Sequence, residues 1–231
     1  MSKIKVLNLF SGIGSNRLNW DKYNVEVTSI ELDPIAKDQY VINFPNDTIH
    51  CTDALEWIQE KEEIKVDGKR SYYYPNLEQY DIIAVASPCQ SHTMFRMVWG
   101  HNIPDMTSLY GLMTFLKYKT ESLVKKGGKK ILWYMENVKS WYKPLVEPNG
   151  RLGRHIFWSN FEIPTKQFRK YDVSDMSPNQ LNEFLSDNRM DISLIKKEWK
   201  FMAIRQMVRN GCDPLIGEYL LVLALEQLNE Q

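Results

Sequence analysis

Cysteine is scarce in this chain, as are the other features of disulfide-stapled, zinc-bound or membrane proteins. Three cysteines occur in 231 residues, Cys51, Cys89 and Cys212, with an odd total and no C-x-x-C pair. That pattern argues against a disulfide framework and against a structural zinc site. No apolar run approaches the length of a membrane span, and the first residues lack the apolar region of a signal peptide. We therefore expect a soluble, cytoplasmic protein without a metal site.

Net charge is lacking as well. Lys and Arg together number 29, and so do Asp and Glu, which gives a formal net charge of zero at pH 7. Composition alone therefore gives no sign of a nucleic-acid partner, although a local cluster of one sign would still attract one. The length and a hydrophobic content of 43% suit one domain with a real core and at most a small appendage.

What the chain does contain is an alternation of strand-like and helix-like segments. We predict strands at 3–10, 25–32, 47–51, 80–87 and 130–137, and helices at 17–24, 34–44, 54–63, 105–126 and 213–228. This alternation predicts an α/β fold with a doubly wound, mostly parallel sheet. Two segments interrupt it: 61–79 has the pattern of a hairpin, and 165–200 is polar, with a short helix capped by Ser177. A strand pair or edge strand is predicted within 153–163.

The ends of the first three predicted strands carry residues suited to a ligand. "NLFSGIGSN" places Gly12 and Gly14 in a strand-to-helix turn, the geometry by which α/β folds hold an adenosine-containing ligand. The third glycine of the dinucleotide fingerprint is missing, and a tight turn without any ligand explains the pair equally well. Glu31 follows about 20 residues later, where an acid binds ribose hydroxyls. Asp53 follows the third strand, and the three positions together favour a nucleoside-type cofactor.

Cys89 lies in "ASPCQSHT", directly after the apolar run "YDIIAV". A cysteine at a sheet edge is a candidate nucleophile, since backbone N–H groups in a sharp turn stabilise its thiolate. The alternative is a small buried core residue, which is common for intracellular cysteines. Pro88 and Gln90 argue against that alternative, because neither suits a continuing central strand.

Glu136 and Asn137 stand at the end of the fifth predicted strand, in "WYMENVK". A carboxyl at a buried sheet edge is able both to donate and to accept a proton. A capping or loop acid is the alternative explanation. Together with Cys89, these residues are parts of one candidate site beside the cofactor.

The order "LFSGIG", "ELD", "DALEW", "SPCQ" and "MENV" over residues 3 to 160 resembles the DNA (cytosine-5) methyltransferase family, whose members use S-adenosylmethionine. "GRHIFWSNF" resembles the family element whose arginines hold the target base, which makes Arg154 the candidate. "RQMVRNGCDPLIGEYLL" resembles the last two elements, although the usual "GNxVPP" has become "NGCDPL". The resemblance implies a Rossmann-like methyltransferase core at 1–164, a very small recognition segment at 165–200 and a C-terminal segment at 201–231 that returns to the core.

The resemblance also implies roles for individual residues. Cys89 would add to C6 of a flipped-out cytosine, Glu136 would protonate N3, and C5 would take the methyl group. The cofactor would be held by residues at the strand ends, namely Phe10, Gly12, Gly14, Glu31, Leu32, Asp53, Ala54 and Pro88. The substrate would be contacted by Gln90, Ser91 and Asn137, and the base would be held by Arg154. Double-stranded DNA is the expected partner, and a cytoplasmic bacterial or phage-encoded enzyme, as in restriction-modification, is the expected setting.

Residues 91–106 would be a mobile loop that closes over the base. His92, Arg96 and His101 would contact phosphates or the displaced partner base, and for the two histidines simple solvation in the loop is the alternative. Met94, Phe95, Met97, Val98 and Trp99 would wedge into the base stack or pack the folded loop. The segment 165–200 carries seven Lys or Arg residues interleaved with aromatic ones, which suits phosphate contact or an ordinary solvated helix pair.

So short a recognition segment implies a short or relaxed target sequence, or recognition completed by a second copy or a partner subunit. An RNA-directed relative is a second interpretation, because "SPCQSHTMFR" is close to the motif of a family branch that methylates tRNA. A catalytically silent regulatory module is a third, and the intact Cys89 and Glu136 count against it. A nicotinamide-dependent dehydrogenase explains neither "PCQ" nor "ENV".

Overall fold

The structure is a computed structural model that describes residues 2–66, 68–93, 103–168, 177–187, 190–198, 204, 208 and 213–230. The strands are β1 (Ile4–Leu9), β2 (Val25–Glu31), β3 (Thr48–Cys51), β4 (Glu62–Val66), β5 (Lys69–Tyr73), β6 (Ile82–Ala86), β7 (Leu132–Val138), β8 (Gly150–Leu152) and β9 (His155–Ser159). The helices are α1 (Pro34–Asn43), α2 (Ala54–Gln59), α3 (Pro75–Glu78), α4 (Leu112–Lys125), α5 (Pro178–Asp187), α6 (Ser193–Glu198) and α7 (Pro214–Asn229).

Seven of these strands form one sheet in the order β3-β2-β1-β6-β7-β9-β8. All neighbours from β3 to β7 are parallel, while β9 runs antiparallel to both β7 and β8. The predicted doubly wound, mostly parallel sheet is therefore confirmed. The strand order reverses between β1 and β6, and such a switch point opens a crevice at the carboxyl ends of the strands. The segments that follow β1, β6 and β7 all emerge at this edge.

The two faces of the sheet are covered by different helices. Alternate residues of the central strands point to opposite faces, so that Leu7, Ile83 and Met135 join the core under α4. Val6, Ile82, Ala84, Tyr134 and Phe157 face the other way and pack against Ile216, Leu220, Leu221 and Ala224 of α7. Burial on both faces explains why these strands are almost continuously apolar in sequence.

The predicted helix at 17–24 is wrong. Two short 3₁₀ turns, Ser15–Arg17 and Trp20–Lys22, take its place. Tyr23 has extended backbone, since the chain enters β2 at Val25. Too few residues therefore remain between the β1 turn and β2 for a stable α-helix. The first turn lies against α7 so closely that a side chain on Gly217 would collide with the backbone of Asn16.

The other predicted elements are found with modest shifts. The helix predicted at 54–63 ends at Gln59, because the predicted hairpin begins at Glu62 and pairs β4 with β5. The predicted long helix consists of a π-helical turn at Thr107–Gly111 followed by α4. Ser177 starts α5, as predicted: its N–H donates to Gln180 Oε1 at 2.9 Å. Within the described residues, no helix combines the length and apolar character needed to cross a membrane.

The described part of the predicted recognition segment packs beside the glycine turn. Leu181 and Leu185 of α5 and Ile195 of α6 form a buried cluster with Ile13 and Ala36. Gln39 of α1 reinforces the contact, because its Oε1 accepts from the N–H groups of Leu194 and Ile195 at 3.0 and 3.3 Å. Six basic or aromatic residues that suggested phosphate contact lie outside the described residues, namely Arg169, Lys170, Tyr171, Arg189, Trp199 and Lys200. Most of the "RQMVRNG" element also lies outside them.

Candidate active site

The turn after β1 is shaped by left-handed backbone at Phe10, Gly12 and Gly14, with φ of 56°, 54° and 89°. The two glycines serve different purposes. A Cβ on Gly14 would lie 3.0 Å from Tyr40 and closer still to the ring of Phe44, so Gly14 is required by packing on α1. A Cβ on Gly12 would meet nothing within 4 Å, so Gly12 borders open space at the sheet edge. That space lets a ligand approach the backbone.

Glu31 ties the end of β2 to this turn. Its Oε2 accepts from Gly12 N–H at 2.7 Å, and its Oε1 accepts from Asp33 N–H at 2.9 Å. Burial raises the pKa of the Glu31 carboxyl, and the two backbone hydrogen bonds oppose that rise. The next side chain, Leu32, is 63% exposed and offers an apolar surface beside the carboxylate. An apolar side chain beside an acid suits a flat base on a ribose.

Asp53 stands at the end of the neighbouring segment, after β3. Its Oδ1 accepts from Leu55 and Glu56 N–H at 2.8 and 3.0 Å, which caps the start of α2. Ala54 behind it is buried. The predicted cofactor residues of the first three strand ends therefore lie along one edge of the sheet. Gly12, Glu31 and Leu32 fit an adenosine-type ligand by their open space, acceptor group and apolar surface.

Cys89 lies on a tight turn beyond β6. Its carbonyl oxygen accepts from the N–H groups of His92 and Thr93, both at 3.0 Å. The residue is half-buried, not part of the core, so the core-packing alternative for Cys89 is wrong. Pro88 and Gln90 beside it are also half-buried.

Asn137 fixes this turn to the end of β7. Its Nδ2 donates to Ser87 Oγ at 2.9 Å and lies 3.4 Å from the carbonyl oxygens of Ser87 and Pro88. Ser87 Oγ in turn donates to the Glu136 carbonyl at 3.1 Å. Asn137 is only 1% exposed, and its amide holds the Cys89 turn against the strand that carries Glu136. The contact of Asn137 with substrate stays a prediction.

Glu136 is buried at the end of β7, where its Cα is in register with Ala86 of β6. Its Oε1 lies 3.2 Å from Nε2 of His155, a buried residue on β9 that sequence reasoning did not single out. Arg154, the predicted holder of the base, is exposed on the turn between β8 and β9. Because β9 is antiparallel to β7, Arg154 lies at the same sheet edge as Glu136.

The predictions for His92 are wrong. The ring is fully buried, so it contacts neither phosphate nor solvent. Burial lowers its pKa, which leaves the imidazole neutral at physiological pH. Nε2 lies 3.1 Å from the Asp105 carbonyl and therefore donates, because a carbonyl only accepts; Nδ1 then accepts from the Tyr142 hydroxyl at 2.6 Å. His92 thus joins both ends of the loop to the segment after β7.

Ser91 also anchors this loop, and its contact with substrate stays a prediction. It is buried, its Oγ accepts from Asp105 N–H at 2.9 Å, and its carbonyl accepts from Trp141 Nε1 at 3.2 Å. Sequence reasoning missed the role of Asp105, Trp141 and Tyr142 in anchoring this loop. The predicted contacts of Arg96 and His101 and the predicted wedge of Met94, Phe95, Met97, Val98 and Trp99 lie outside the described residues.

A groove of about 580 Å³ adjoins the site, where the chain leaves β7. Lys139, Lys143 and Arg151 line it together with one acid, Glu147, and the ring of Tyr142. The balance of charge is therefore positive in a chain whose net charge is zero. Within the described residues, no group of three or more His, Cys, Asp or Glu side chains is placed to hold a metal ion.

Comparison with known proteins gives a family match and several partial structural matches. The family model for C-5 cytosine-specific DNA methylases matches residues 4–144, more than half of the chain. A mutant of Spodoptera frugiperda DNMT2 is 20% identical over 59% of this chain and 36% of its own, with a TM-score of 0.36. Entamoeba histolytica methyltransferase EhMeth is 17% identical over 76% of this chain and 60% of its own, with a TM-score of 0.40.

A prophage-encoded protein of Escherichia coli, described as a DNA modification methyltransferase, is 16% identical over 61% of this chain and 34% of its own, with a TM-score of 0.34. The matches thus span about a third of the DNMT2 and prophage chains. No curated protein sequence matches the chain.

Proposed function

The chain belongs to the C-5 cytosine-specific DNA methylase family, and from that premise we propose that it methylates C5 of cytosine in DNA, with S-adenosylmethionine as methyl donor and Cys89 as nucleophile. The observation that carries the proposal is the joining of the Cys89 turn to the Glu136 strand end through Ser87 and Asn137. Both candidate groups stand at the switch-point edge, next to the open space at Gly12.

The chemistry follows from the character of the two side chains. The Cys89 thiolate adds to C6 of the base while Glu136 donates a proton to N3, and the electron pair released into the ring makes C5 nucleophilic. Bound S-adenosylmethionine supplies an electrophilic methyl group, with a neutral thioether as its leaving group. After transfer, C5 loses its proton to water, the C6–S bond breaks and Cys89 leaves as thiolate. The N3 proton returns to Glu136, and both side chains regain their starting state.

The cofactor is proposed to lie across the ends of β1, β2 and β3, between the Gly12 turn and the Cys89 turn. Glu31 would accept from the ribose hydroxyls, Leu32 would pack against the adenine, and Asp53 would accept from its amine. Phe10, Ala54 and Pro88 would complete the walls. This arrangement is supported by the open space at Gly12 and by the exposure of Leu32. Gly14 belongs to the same turn but acts through packing.

The nucleic-acid strand is proposed to lie in the groove beside β7. Lys139, Lys143 and Arg151 would contact phosphates, which is the commonest use of clustered cations in nucleic-acid enzymes. Arg154 and the half-buried Gln90, both at the same edge, would contact the target cytosine, which must leave the base stack to reach a thiol.

The division into a core at 1–164, a recognition segment at 165–200 and a returning segment at 201–231 stays a proposal, as does a restriction-modification setting. The packing of α5 and α6 on α1 gives the described part of the recognition segment a second role beside the cofactor turn. Fewer residues are then left to read DNA sequence. We expect a short target sequence, or recognition completed by a partner subunit or a second copy of the chain.

The test is transfer of a labelled methyl group from S-adenosylmethionine to mixed-sequence duplex DNA and, in parallel, to total tRNA. Wild type and Cys89→Ala are compared, with Cys51→Ala as the matched control, because Cys51 is an exposed cysteine of the same sheet edge. Label on DNA that disappears only in Cys89→Ala supports the proposal. Label on tRNA alone would assign the RNA-directed alternative. Cofactor binding without transfer to either would favour a silent module.

A further inference from the structure

His155 is a buried histidine beside the candidate carboxyl of Glu136. It lies on β9, and only 3% of its surface is exposed. Neither ring nitrogen makes a hydrogen bond within the described part of the chain. Buried polar atoms are almost always satisfied, so an unsatisfied imidazole at a sheet edge calls for an explanation. A phenylalanine or a leucine would fill the same space without that cost.

The ring of His155 lies close to the carboxyl of Glu136. In the antiparallel pair β7–β9, His155 is in register with Val138, and Phe157 is in register with Glu136. His155 and Glu136 are therefore diagonal neighbours on one face of the sheet. Nε2 lies 3.2 Å from Oε1, which is close enough for a hydrogen bond but is not aligned for one. Catalytic hydrogen bonds are often misaligned before the substrate binds and tighten in the complex.

The ring is also uncharged. Burial, followed by the positive charge of Arg154, lowers the pKa of His155 to about 3. A neutral imidazole offers one donor and one acceptor, so one tautomer donates to a carboxylate and the other accepts from a carboxylic acid. The proposed reaction takes Glu136 through both of these states. A fixed cation in the place of the His155 ring would stabilise only the carboxylate form of Glu136. The neighbouring cation in the sequence, Arg154, is exposed.

We propose that His155 is the positioning residue of Glu136: Nε2 holds Oε1, so that the second carboxyl oxygen is directed at N3 of the flipped base. This inference rests on the proposed function and extends it to a residue that the motifs did not indicate. Its effect is on the chemical step, because a catalytic group displaced by about 1 Å can lose about 10²-fold in rate.

The test compares two substitutions of similar size. His155→Gln keeps a donor and an acceptor, whereas His155→Met fills the space with an unbranched apolar chain. We expect kcat to fall about 10²-fold in His155→Met and much less in His155→Gln, with the KM for DNA little changed in both. A purely structural role predicts the reverse order, because a buried amide is harder to accommodate than a thioether. Phe157→Leu, on the same face of β9, controls for general disturbance of the strand, and His155→Leu replaces the Met variant if that variant does not fold.

A second measurement needs no turnover. The imidazole ¹⁵N resonances of His155 should shift on Glu136→Gln and stay in place on Asp53→Asn, a change at a distant strand end. Equal kcat in the Gln and Met variants, or an unmoved His155 resonance on Glu136→Gln, would overturn the inference. If wild type transfers no methyl group at all, the proposed function fails, while the resonance measurement still decides whether His155 contacts Glu136.

Discussion

The two glycines of the β1 turn should respond differently to the addition of one methyl group: Gly12→Ala should mainly weaken cofactor binding, and Gly14→Ala should mainly lower stability. Gly12→Ala places a Cβ in open space, so its cost to the folded state is the left-handed backbone alone, about 1–2 kcal/mol. Gly14→Ala carries the same backbone cost and also drives the Cβ into Phe44 and against Tyr40. Overpacking of this kind adds about 1–3 kcal/mol, which brings the total to about 2–5 kcal/mol.

The neighbours of Gly14 cannot easily move aside. Tyr40 accepts from Ser29 Oγ and donates to Asp47, both at 2.7 Å, and Asp47 also pairs with Arg17 at 2.8 Å. Displacing the Tyr40 ring would strain this whole buried network. We therefore expect Gly14→Ala to lie toward the upper end of its range.

Urea unfolding measures the loss of stability in each variant, and titration with S-adenosylmethionine measures the loss of cofactor affinity. Gly12→Ala should keep most of its unfolding free energy but bind the cofactor about 10- to 100-fold more weakly, since the methyl group occupies ligand space. Gly14→Ala should show the larger loss of stability. The reasoning is refuted if Gly12→Ala binds the cofactor like wild type, or if the two variants lose equal stability.

Three further predictions concern the rest of the site. Asn137→Ala should lower kcat about 10²-fold with little effect on cofactor affinity, because the Cys89 turn loses its tie to β7; unchanged kcat in steady-state assays would contradict this. A triple variant should test the groove, with Gln in place of Lys139, Lys143 and Arg151. If each cation contacts one phosphate of duplex DNA, the slope of log affinity against log salt concentration should become shallower by about 2.7. An unchanged slope would mean that DNA does not lie in the groove. His155 has a folded pKa of about 3 and an ordinary value of 6.5, so its contribution to stability is complete above pH 6.5 and declines as pH falls toward 3. At pH 5 the unfolding free energy of the wild type should be lower by about 2 kcal/mol because of His155. His155→Phe should remove this part of the pH dependence between pH 7.5 and 5. An unfolding free energy that depends on pH as steeply as in the wild type would contradict a neutral, buried ring.

The strands were predictable because of where they lie. β1, β6 and β7 are buried on both faces over most of their length, so their sequences are almost continuously apolar, and polar residues of the candidate site follow at or near their ends. The doubly wound, mostly parallel sheet follows from strand–helix alternation, and ligands bind such sheets at the carboxyl ends of the strands. The placement of Gly12, Glu31, Cys89 and Glu136 at one edge was therefore accessible from the sequence.

The errors arise where contacts join distant parts of the chain. Nothing within residues 17–24 shows that the backbone must meet Gly217 of α7, and that contact favours short turns over a helix. The anchoring roles of Ser91, His92 and Asn137 were also not predictable, because local patterns show only that these polar residues follow strand ends. Their actual partners, such as Asp105 and Tyr142, come from segments that local patterns do not connect.

His155 carried a readable signal that was missed. It is the first residue of a strand whose next three residues are Ile156, Phe157 and Trp158, and a single imidazole in so apolar a strand requires a polar partner. The antiparallel register supplies that partner from β7. The register cannot be read from either strand alone, because a shift by one residue would turn the ring to the other face.

The most direct test of the central claim is to trap the bond between Cys89 and the base. Duplex DNA containing 5-fluorocytosine is incubated with the protein and S-adenosylmethionine, since fluorine cannot leave C5 as a proton does and the adduct therefore cannot eliminate. The account predicts a denaturant-resistant protein–DNA complex whose digestion yields a modified peptide containing Cys89, present in Cys51→Ala and absent in Cys89→Ala. Methylation of DNA without any adduct, or an adduct on another residue, would contradict it.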